Sequence, residues 1–455
     1  MGGVEVNTVT KRAYVLLGII AAFMAGVIIL GVSFYMNGGK WATNRVNGHL
    51  YSAGQITNAG RILDHNGIVL AESDDGEREY NSDLNIRKAT LHAVGDTYGY
   101  IAHGAHTLCR DKLTGYSFVN GIYDLINTGE GSDVTLTIDA KLCSTAYKAL
   151  GSNKGAVGVY NYKTGEIVCM VSSGTYDPEN KPKDIETNEK YEAVYMNRLL
   201  TGLYTPGSIF KTVTTVCALE NIPDVQNRKF TCTGALKTEQ GGEIICNNKH
   251  GEISFGTALT KSCNSAYAEL GIELGRKKLE ETAENLGFGK SFNISGVKTQ
   301  ASRINLDKAV EIDTGWAAIG QYTTLVNPIH MMMLAGAIAS GGATPTPYFV
   351  DEGLEAVVGS VKLNSFMSQT TADTLKTMMR NNVINNYGDK RFPGMDFGGK
   401  TGTAQVAGEK SHAWFMGFSA NSNYPYAIIV VAENGGGGSD VAVPIASTVM
   451  KALVK

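Results

Sequence analysis

The sequence predicts an α/β protein in which one N-terminal transmembrane helix is followed by a small strand-rich module and a larger body. Three observations predict this architecture: an uncharged apolar stretch near the N-terminus, a polar and irregular region after it, and then strands that give way to helices and again to strands. The body should combine an antiparallel sheet with a helical subdomain. We expect a cytoplasmic tail at 1–12, an anchor at 13–39, the small module at 40–132 and the main domain at 133–455.

The bulk composition excludes several classes of protein. Of the 455 residues, 43% are hydrophobic and 18% are charged, which is enough chain for one large folded domain and a smaller one. The net charge of −3 gives no indication of a nucleic-acid partner. The 54 glycines follow no period, and seven cysteines are too few for a disulfide-built scaffold.

The apolar stretch has the properties of an uncleaved membrane anchor. Residues 13–39 carry no charge, and 14–36 is long enough to cross a bilayer as a helix, which takes ~20 apolar residues. Lys11 and Arg12 precede it, so the positive-inside rule places the N-terminus in the cytoplasm and the rest of the chain outside. A cleaved signal peptide is the alternative, but its apolar core is usually shorter, roughly 7–15 residues, and ends at a small-x-small site.

In the small module, apolar residues alternate with others within 61–64 and 67–70, which predicts two short strands. Asn66-Gly67 predicts the hairpin turn between them. No acidic or thiol partner shares the spacing of three histidines, which we interpret as ordinary packed or surface residues: His92, His103 and His106.

The main domain is predicted to begin with a strand at 134–138, after which Asp139 caps a helix at 140–150. The other predicted strands are 155–160, 166–171, 413–418 and 426–431. The other predicted helices are 207–221, 262–286, 328–340 and 370–386. A polar stretch at 177–190 is expected to form an exposed loop.

The first motif with chemical meaning is Ser208-Ile209-Phe210-Lys211. Pro206-Gly207 ends a loop and begins a helix, so the Ser208 hydroxyl lies near the positive end of the helix dipole. Residues three apart share a helix face, which puts Lys211 beside Ser208. A serine hydroxyl is a weak nucleophile until a base takes its proton, and lysine can be that base when burial or a cationic neighbour lowers its pKa. The motif predicts Ser208 as the nucleophile and Lys211 as its base.

A second motif, Ser262-Cys263-Asn264, follows Ser208 by 54 positions. Its hydroxyl can relay a proton to a leaving amine, and the Asn264 amide can hold Lys211 and a substrate carbonyl. A third motif begins at Lys400, another 138 positions along the chain. Lys400 supplies a second cation that suppresses the charge on Lys211.

The third motif predicts a strand edge that accepts an extended peptide. Three residues without side chains are expected to let a ligand approach this edge closely: Gly398, Gly399 and Gly402. Thr401 and Thr403 offer hydroxyls to a carboxylate. Thr403 is preferred as the carboxylate ligand because alternate side chains of a strand point to opposite faces. The backbone N–H groups of Ser208 and Thr403 are the predicted oxyanion hole.

Together, the three motifs resemble those of the penicillin-recognising serine enzymes. The resemblance extends from about Gly60 to the C-terminus through further segments at 60–67, 134–139, 205–208 and 313–321. The chain is most similar to short class B penicillin-binding proteins, which are monofunctional cell-wall transpeptidases with a pedestal module before an antiparallel sheet that carries helices on both faces. It departs from many relatives at position 322, where Tyr stands in place of Gly. No glycosyltransferase domain precedes the pedestal and no domain follows Val454, so we expect no polymerising activity.

The resemblance implies peptidoglycan cross-linking by acyl transfer from a D-Ala-D-Ala stem peptide to an amine, with covalent inhibition by β-lactams. It also implies a bacterial cell-membrane location and no metal or organic cofactor. Relatives of this type work with a membrane glycosyltransferase of the shape, elongation, division and sporulation family, which is the expected partner.

Four alternatives share the motifs or the fold. A D,D-carboxypeptidase passes the acyl group to water, a β-lactamase hydrolyses the antibiotic ester quickly, and a membrane sensor keeps it. The anchor and pedestal favour the transpeptidase, and a sensor would need more than the dozen or so residues that precede the anchor. A structural scaffold would never be acylated at Ser208.

One pair of cysteines has three possible interpretations. Cys232 and Cys246 flank Gly241-Gly242, which has the composition of a hairpin tip. A disulfide, two unlinked thiols and a Cys/Cys/His metal site with His250 all remain open, although the C-x-x-C spacing common in zinc sites is absent.

Overall fold

The computed structural model describes residues 2–43, 51–52, 55–56, 59–74, 77–116, 131–239, 241–351 and 363–454. Its α-helices are α1 Gly2–Ala42, α2 Leu84–Ala89, α3 Leu91–Val94, α4 Ala105–Leu108, α5 Arg110–Leu113, α6 Ala140–Leu150, α7 Arg198–Thr201, α8 Lys211–Asn221, α9 Phe255–Thr260, α10 Asn264–Asn285, α11 Glu311–Ala318, α12 Pro328–Ala339, α13 Gln369–Asn382 and α14 Val443–Leu453.

Its strands are short outside the main sheet. They are β1 Tyr51–Ser52, β2 Gln55–Ile56, β3 Ile62–Leu63, β4 Val69–Asp74, β5 Glu77–Tyr80, β6 Val134–Leu136, β7 Gly155–Asn161, β8 Ile167–Ser172, β9 Lys229–Cys232, β10 Ala235–Lys237, β11 Glu243–Ile245, β12 Gly251–Ser254, β13 Asn293–Ile294, β14 Val297–Lys298, β15 Ala343–Pro345, β16 Val350–Asp351, β17 Leu363–Ser365, β18 Gly398–Val406, β19 Glu409–Phe418 and β20 Tyr426–Ala432.

The chain divides into two compact units. The smaller contains Met1–Arg61, Glu72–Arg78 and Cys109–Asp133, and the larger contains Ile62–Ala71, Glu79–Leu108 and Val134–Lys455. The last junction lies between Asp133 and Val134, and two segments that the sequence analysis assigns to the small module, 62–71 and 79–108, belong to the larger unit.

Packing explains why those two segments join the larger unit. Strand β3 pairs in parallel with β6, Ile62 lying opposite Val134. Leu91 and Ile101 are buried in one apolar cluster with side chains from the region after β8, among them Val194. Contacts between residues far apart in the chain decide this grouping, so local composition does not reveal it.

In the smaller unit, α1 continues beyond both ends of the predicted anchor at 13–39. Among the described residues, it is the one helix long and apolar enough to cross a membrane, over Thr8–Ala42 with a mean hydropathy of 2.8 in its most apolar window. No proline interrupts the flanks, so helical hydrogen bonding extends past the apolar residues on each side.

A five-stranded antiparallel sheet in the order β18-β19-β20-β7-β8 forms the centre of the larger unit. The strands predicted at the two ends of the main domain therefore meet in one sheet, with Val157 opposite both Val430 and Val171. Both faces of β7 and β20 are buried, because α12 packs on this sheet, as do α6 and α14. Strand β18 lies at the edge of this sheet, with β19 as its neighbour.

The longer predicted helices are confirmed with shifted ends. Helix α10 begins at Asn264 and α13 ends at Asn382, where a π-helical turn, Val383–Tyr387, follows. The Asp139 cap is confirmed, since its Oδ1 accepts a hydrogen bond of 2.8 Å from Leu142 N. Helices α11 and α14 were not predicted, nor were the helices of four to six residues between 84 and 113, which are too short to show a period.

Both predicted hairpin turns are present. Strand β3 pairs antiparallel with β4 around Gly67, whose φ is +80°. Strands β10 and β11 pair antiparallel, and Gly241 and Gly242 between them have φ values of +91° and +100°. Such angles favour glycine, which has no Cβ to clash.

Candidate active site

Ser208 lies in a tight turn just before a helix. Gly207–Ile209 forms a single 3-10 turn, and α8 begins at Lys211. The carbonyl of Thr205, in the loop before this turn, accepts a hydrogen bond of 3.0 Å from the Trp414 indole on β19. The predicted helix start is thus correct to within one turn, and the sheet fixes its position.

Three glycines allow the turn of Ser208 to contact its surroundings closely. A Cβ at Gly207 would lie 2.6 Å from the Thr403 carbonyl oxygen, and one at Gly320 would lie 2.1 Å from that of Gly207. A Cβ at Gly402 would lie 2.6 Å from the carbonyl oxygen of Pro206. We call Gly207, Gly320 and Gly402 the glycine contact. The ligand-approach role predicted for Gly402 is therefore corrected, because its missing side chain makes room for protein backbone.

The other two glycines of β18 need the same correction. A Cβ at Gly398 would lie 2.6 Å from the Phe418 ring, and one at Gly399 would lie 2.5 Å from the Phe415 ring. These positions are small because aromatic side chains of the neighbouring strand β19 fill the space.

The segment 313–321, which carried part of the resemblance, forms α11 and the turn after it. Gly320 has a φ of +82° and accepts a hydrogen bond of 2.9 Å from Gly207 N. Tyr322 has a φ of +61°, a conformation that costs roughly 1–2 kcal/mol for a residue with a Cβ. A glycine would adopt this backbone without that cost, so the conformation accounts for the glycine expected at this position, and nothing in the structure explains the tyrosine.

Lys211 is fully buried and surrounded by oxygen atoms of the first two motifs. Its Nζ lies 3.1 Å from Ser208 Oγ and 2.7 Å from Asn264 Oδ1. It also lies 2.8 Å from the Ser262 carbonyl oxygen and 3.2 Å from Ser262 Oγ. Burial disfavours the charged amine and lowers the pKa of Lys211 to about 7.

The second motif is held in a strained turn. Ser262 has a φ of +52°. Residues other than glycine rarely adopt this backbone conformation, and those that do are often found at functional sites. Asn264 is the first residue of α10, and its Nδ2 donates a hydrogen bond of 3.0 Å to the Ile245 carbonyl. This contact orients the amide so that its oxygen faces Lys211.

Lys400 completes a continuous line of polar atoms. Its Nζ donates to Ser262 Oγ at 3.0 Å and to the Thr401 carbonyl at 2.9 Å. Burial, and then the nearby charge of Lys211, hold the pKa of Lys400 well below its usual value. One hydroxyl thus bridges two buried amines, and the line runs from Ser208 through Lys211 and Ser262 to Lys400.

The two threonines of the third motif share one side of β18. Both Thr401 and Thr403 line the cleft, since residues two apart on a strand point the same way. The reason given for preferring Thr403 to Thr401 as a carboxylate ligand is therefore wrong, because both side chains face the cleft. The Thr401 hydroxyl lies 2.8 Å from the Tyr387 hydroxyl, whereas Thr403 Oγ1 accepts a 3.2 Å hydrogen bond from Gly438 N.

Sequence reasoning missed Tyr387 and Asn382. The Tyr387 hydroxyl accepts a hydrogen bond of 3.0 Å from Thr401 N, and Asn382 Nδ2 donates to that hydroxyl at 3.0 Å and to the Gly399 carbonyl at 2.7 Å. Asn382 ends α13, and Tyr387 ends the π-helical turn that follows it. Nothing in their local sequence indicates that they support β18.

The motifs meet at a cleft of 580 Å³. Its lining residues are polar or basic: Ser208, Asn247, Asn248, Lys249, His250, Thr260, Lys261, Ser262, Asn386, Tyr387, Thr401, Thr403 and Ser439. Within the part of the chain that the structure describes, no aspartate or glutamate lines the cleft. The cleft therefore suits an anionic ligand.

Comparison with known proteins agrees with this geometry. Residues 155–451 match the family described as the penicillin binding protein transpeptidase domain. Peptidoglycan D,D-transpeptidase PbpA of Mycobacterium tuberculosis is 26% identical over 365 residues, covering 71% of this chain and 73% of the relative.

Two solved structures are also similar. The D,D-transpeptidase domain of a peptidoglycan glycosyltransferase from Eggerthella lenta is 28% identical, with a TM-score of 0.74 and coverage of 88% of this chain and 98% of that one. The penicillin G acyl-enzyme complex of penicillin-binding protein A from M. tuberculosis has a TM-score of 0.74 at 23% identity, with coverage of 88% and 100%. Since the family match covers more than half of the chain and the three motifs converge on one cleft, the chain belongs to the penicillin-binding protein transpeptidases, as a class B member.

Proposed function

We propose that this protein is a serine-type peptidoglycan D,D-transpeptidase that uses Ser208 as its nucleophile. It cross-links peptidoglycan by acyl transfer and is inhibited covalently by β-lactams. One observation carries the proposal: a fully buried lysine, with its pKa lowered to about 7, lies 3.1 Å from the Ser208 hydroxyl. A lysine in that state is a base near neutral pH, and no other group is needed to activate the serine.

In the acylation step, neutral Lys211 takes the Ser208 proton as Oγ attacks the carbonyl carbon of the penultimate D-Ala. The new C–O bond gives a tetrahedral intermediate, whose oxyanion accepts hydrogen bonds from the backbone N–H groups of Ser208 and Thr403. The C–N bond to the terminal D-Ala then breaks. Ser262 Oγ, 3.2 Å from Lys211 Nζ, passes the proton to the leaving amine.

The third motif binds the substrate. The stem peptide lies as an added strand along the edge of β18 beyond Thr401, whose N–H group already bonds Tyr387, and its terminal carboxylate meets the Thr401 and Thr403 hydroxyls. The buried amines of Lys400 and Lys211, both in contact with Ser262 Oγ, disfavour each other's charge, and a protonated Lys400 attracts the same carboxylate. Gly402 lets the Ser208 turn approach the strand, so the nucleophile and the bound peptide lie close together.

The second half of the reaction favours an amine over water. Fast hydrolysis of an acyl-enzyme needs a base that activates water, and among the described cleft residues no carboxylate is available. An amine acceptor is a better nucleophile than water and can pass its proton to Lys211. Attack on the ester forms the new amide bond and regenerates Ser208.

The test of this assignment measures how the acyl group is divided between an amine acceptor and water. With a donor peptide that ends in D-Ala-D-Ala, raising the concentration of an amine acceptor is expected to increase D-Ala release and the ratio of amide to hydrolysed product. The penicillin ester should persist for many minutes or longer, because no carboxylate among the described residues that line the cleft is placed to activate water. Product ratios by liquid chromatography and adduct lifetime by intact-mass measurement check both points.

The alternative activities predict different results. An amide ratio that stays near zero at every acceptor concentration would identify a D,D-carboxypeptidase. Turnover of penicillin many times per second would identify a β-lactamase. A chain that is never acylated would be a structural scaffold, whereas one that is acylated by penicillin yet inert towards the donor peptide would be a sensor.

We also propose that α1 anchors the protein in the bacterial cell membrane, with 1–12 in the cytoplasm, a pedestal at 40–132 and the transpeptidase domain at 133–455 outside. Lys11 and Arg12 at one end of the apolar stretch support this orientation. The partner that fits an anchored transpeptidase is a membrane glycosyltransferase of the shape, elongation, division and sporulation family, which supplies the glycan strands.

The anchor has a simple biochemical consequence. The full chain is expected to require detergent, whereas a chain beginning at Trp41 should be soluble and still bind penicillin covalently, because the catalytic residues lie far along the sequence. Membrane fractionation with a fluorescent penicillin label measures both properties. Recovery of the intact chain, with Met1 in place, in the soluble fraction would contradict the anchor.

A further inference from the structure

A second group of reactive side chains includes the middle residue of the second motif and has no role in the proposed acyl transfer. Three cysteines and a histidine bring their ligand atoms within 4.8 Å of one another: Cys232, Cys246, His250 and Cys263. They end β9, follow β11, precede β12 and cap α10, so four separate elements contribute one residue each.

Two distances within this group equal those expected around a tetrahedral metal ion. Cys246 Sγ lies 3.8 Å from Cys263 Sγ and 3.6 Å from His250 Nδ1. Zinc binds sulfur at about 2.3 Å and nitrogen at about 2.0–2.1 Å, so tetrahedral angles require separations of about 3.8 Å and about 3.6 Å for these two pairs. A disulfide needs its sulfur atoms about 2.05 Å apart, and all seven cysteines have free thiols.

We propose that Cys232, Cys246, His250 and Cys263 bind one zinc ion as a structural Cys3His site. The resemblance implied no metal, and among the interpretations of the cysteine pair the structure favours the metal site, with Cys263 as an additional ligand. Four protein ligands leave no open position for substrate or water, which is typical of structural rather than catalytic zinc. The thiolate-rich set favours zinc over magnesium or calcium, which prefer oxygen ligands.

The surroundings of the sulfur atoms support binding as thiolates. Asn264 N donates to Cys246 Sγ at 3.2 Å, and Ala266 N donates to Cys263 Sγ at 3.5 Å. Both N–H groups belong to the first turn of α10, where the positive end of the helix dipole also favours negative charge. Such contacts orient ligands around a metal. The three cysteines are almost fully buried.

The site would stabilise the catalytic turn. Cys263 lies between Ser262, whose φ is +52°, and Asn264, and both neighbours contact Lys211 Nζ. A metal bond to Cys263 ties this turn to the hairpins formed by β9–β12. The ion therefore holds the second motif in place.

The direct test is the metal content of the full chain, purified in detergent with zinc supplied and dialysed against metal-free buffer. Elemental analysis should find about one zinc per chain. Cys232→Ser and Cys246→Ser should each lower this to below roughly one-tenth, since a lost thiolate removes a ligand. Cys109→Ser, which changes a cysteine outside the group, should keep the full content, as should Ser208→Ala. Wild-type protein without zinc, or Cys246→Ser with its full content, would overturn the proposal.

A second measurement uses the wild-type chain and so does not depend on how variants fold. Cobalt(II) in place of zinc should give the intense visible absorption of a tetrahedral cobalt–thiolate centre, and a chelator should abolish it and lower the Tm. Alkylation after chelation, followed by mass spectrometry without reductant, should modify all three cysteines. A disulfide between any two of them in the freshly purified chain, or cobalt spectra without thiolate bands, would refute the site.

Discussion

Ser208→Ala is expected to abolish covalent labelling by penicillin. The acylation rate should fall on the order of 10⁶-fold, the size of effect seen when a serine enzyme loses its nucleophile. The fold should survive, because Lys211 keeps its hydrogen bonds to the Ser262 carbonyl at 2.8 Å and to Asn264 at 2.7 Å. Labelling with a fluorescent penicillin, with the adduct mapped by mass spectrometry, measures the loss directly.

Two further serine variants separate chemistry from folding. Ser422→Ala changes an exposed loop residue and should label like the wild type. Ser262→Ala removes the hydroxyl between the two lysines and should label slowly at Ser208, because the nucleophile and its base remain. Melting curves of all three variants establish that each is folded. A labelled Ser208→Ala protein would refute the assignment of the nucleophile.

Lys211→Ala is expected to slow acylation by about 10⁴-fold at neutral pH, the upper end of what a positioned base contributes. Lys211→Arg should be as slow, since a guanidinium keeps the charge but holds its proton at any working pH. Lys400→Ala should instead raise the concentration of carboxylate-bearing ligand needed for half-maximal rate. Stopped-flow acylation over a range of ligand concentrations resolves the two effects.

The pH dependence gives an independent measure of the same role. The pKa of Lys211 is lowered to about 7 by burial, and the neutral amine, which predominates above that pH, is the proposed base. The acylation rate should therefore rise about tenfold per pH unit below 7 and level off above it. Lys277→Ala, at an exposed lysine of α10, should keep this profile, whereas Lys211→Ala should lose it. Equal small effects at Lys211 and Lys400 would contradict their separate roles.

Local signals in the sequence were enough to predict the central sheet and the neighbourhood of Ser208. The strands around Val157 and Val430 are apolar runs. Pro206-Gly207 indicates where the 3-10 turn that leads into α8 begins. Lys211 could be placed beside Ser208 because the two residues lie one helical turn apart.

Features that depend on distant contacts could not be predicted. Asn382, at the end of α13, and Tyr387, at the end of the π-helical turn after it, support β18, and no periodicity indicates this turn. Segment 79–108 joined the larger unit through burial against residues far along the chain. The proposed zinc site could not be predicted in full because the sequence spacing of its ligands follows no common metal motif. The fold brings Cys263 next to Cys246.

The glycine contact limits the routes by which drug resistance can evolve in this protein. At Gly207, Gly320 and Gly402 even a methyl group would collide with backbone carbonyl oxygens, which cannot move aside as a flexible side chain can. The wall behind the nucleophile therefore has almost no freedom to vary while catalysis is kept. Substitutions that lower antibiotic affinity yet preserve cell-wall synthesis should instead accumulate at the rim, where Lys249 and Lys261 border the cleft. Selection of bacteria under a β-lactam would thus leave the interior of the site constant and change its entrance.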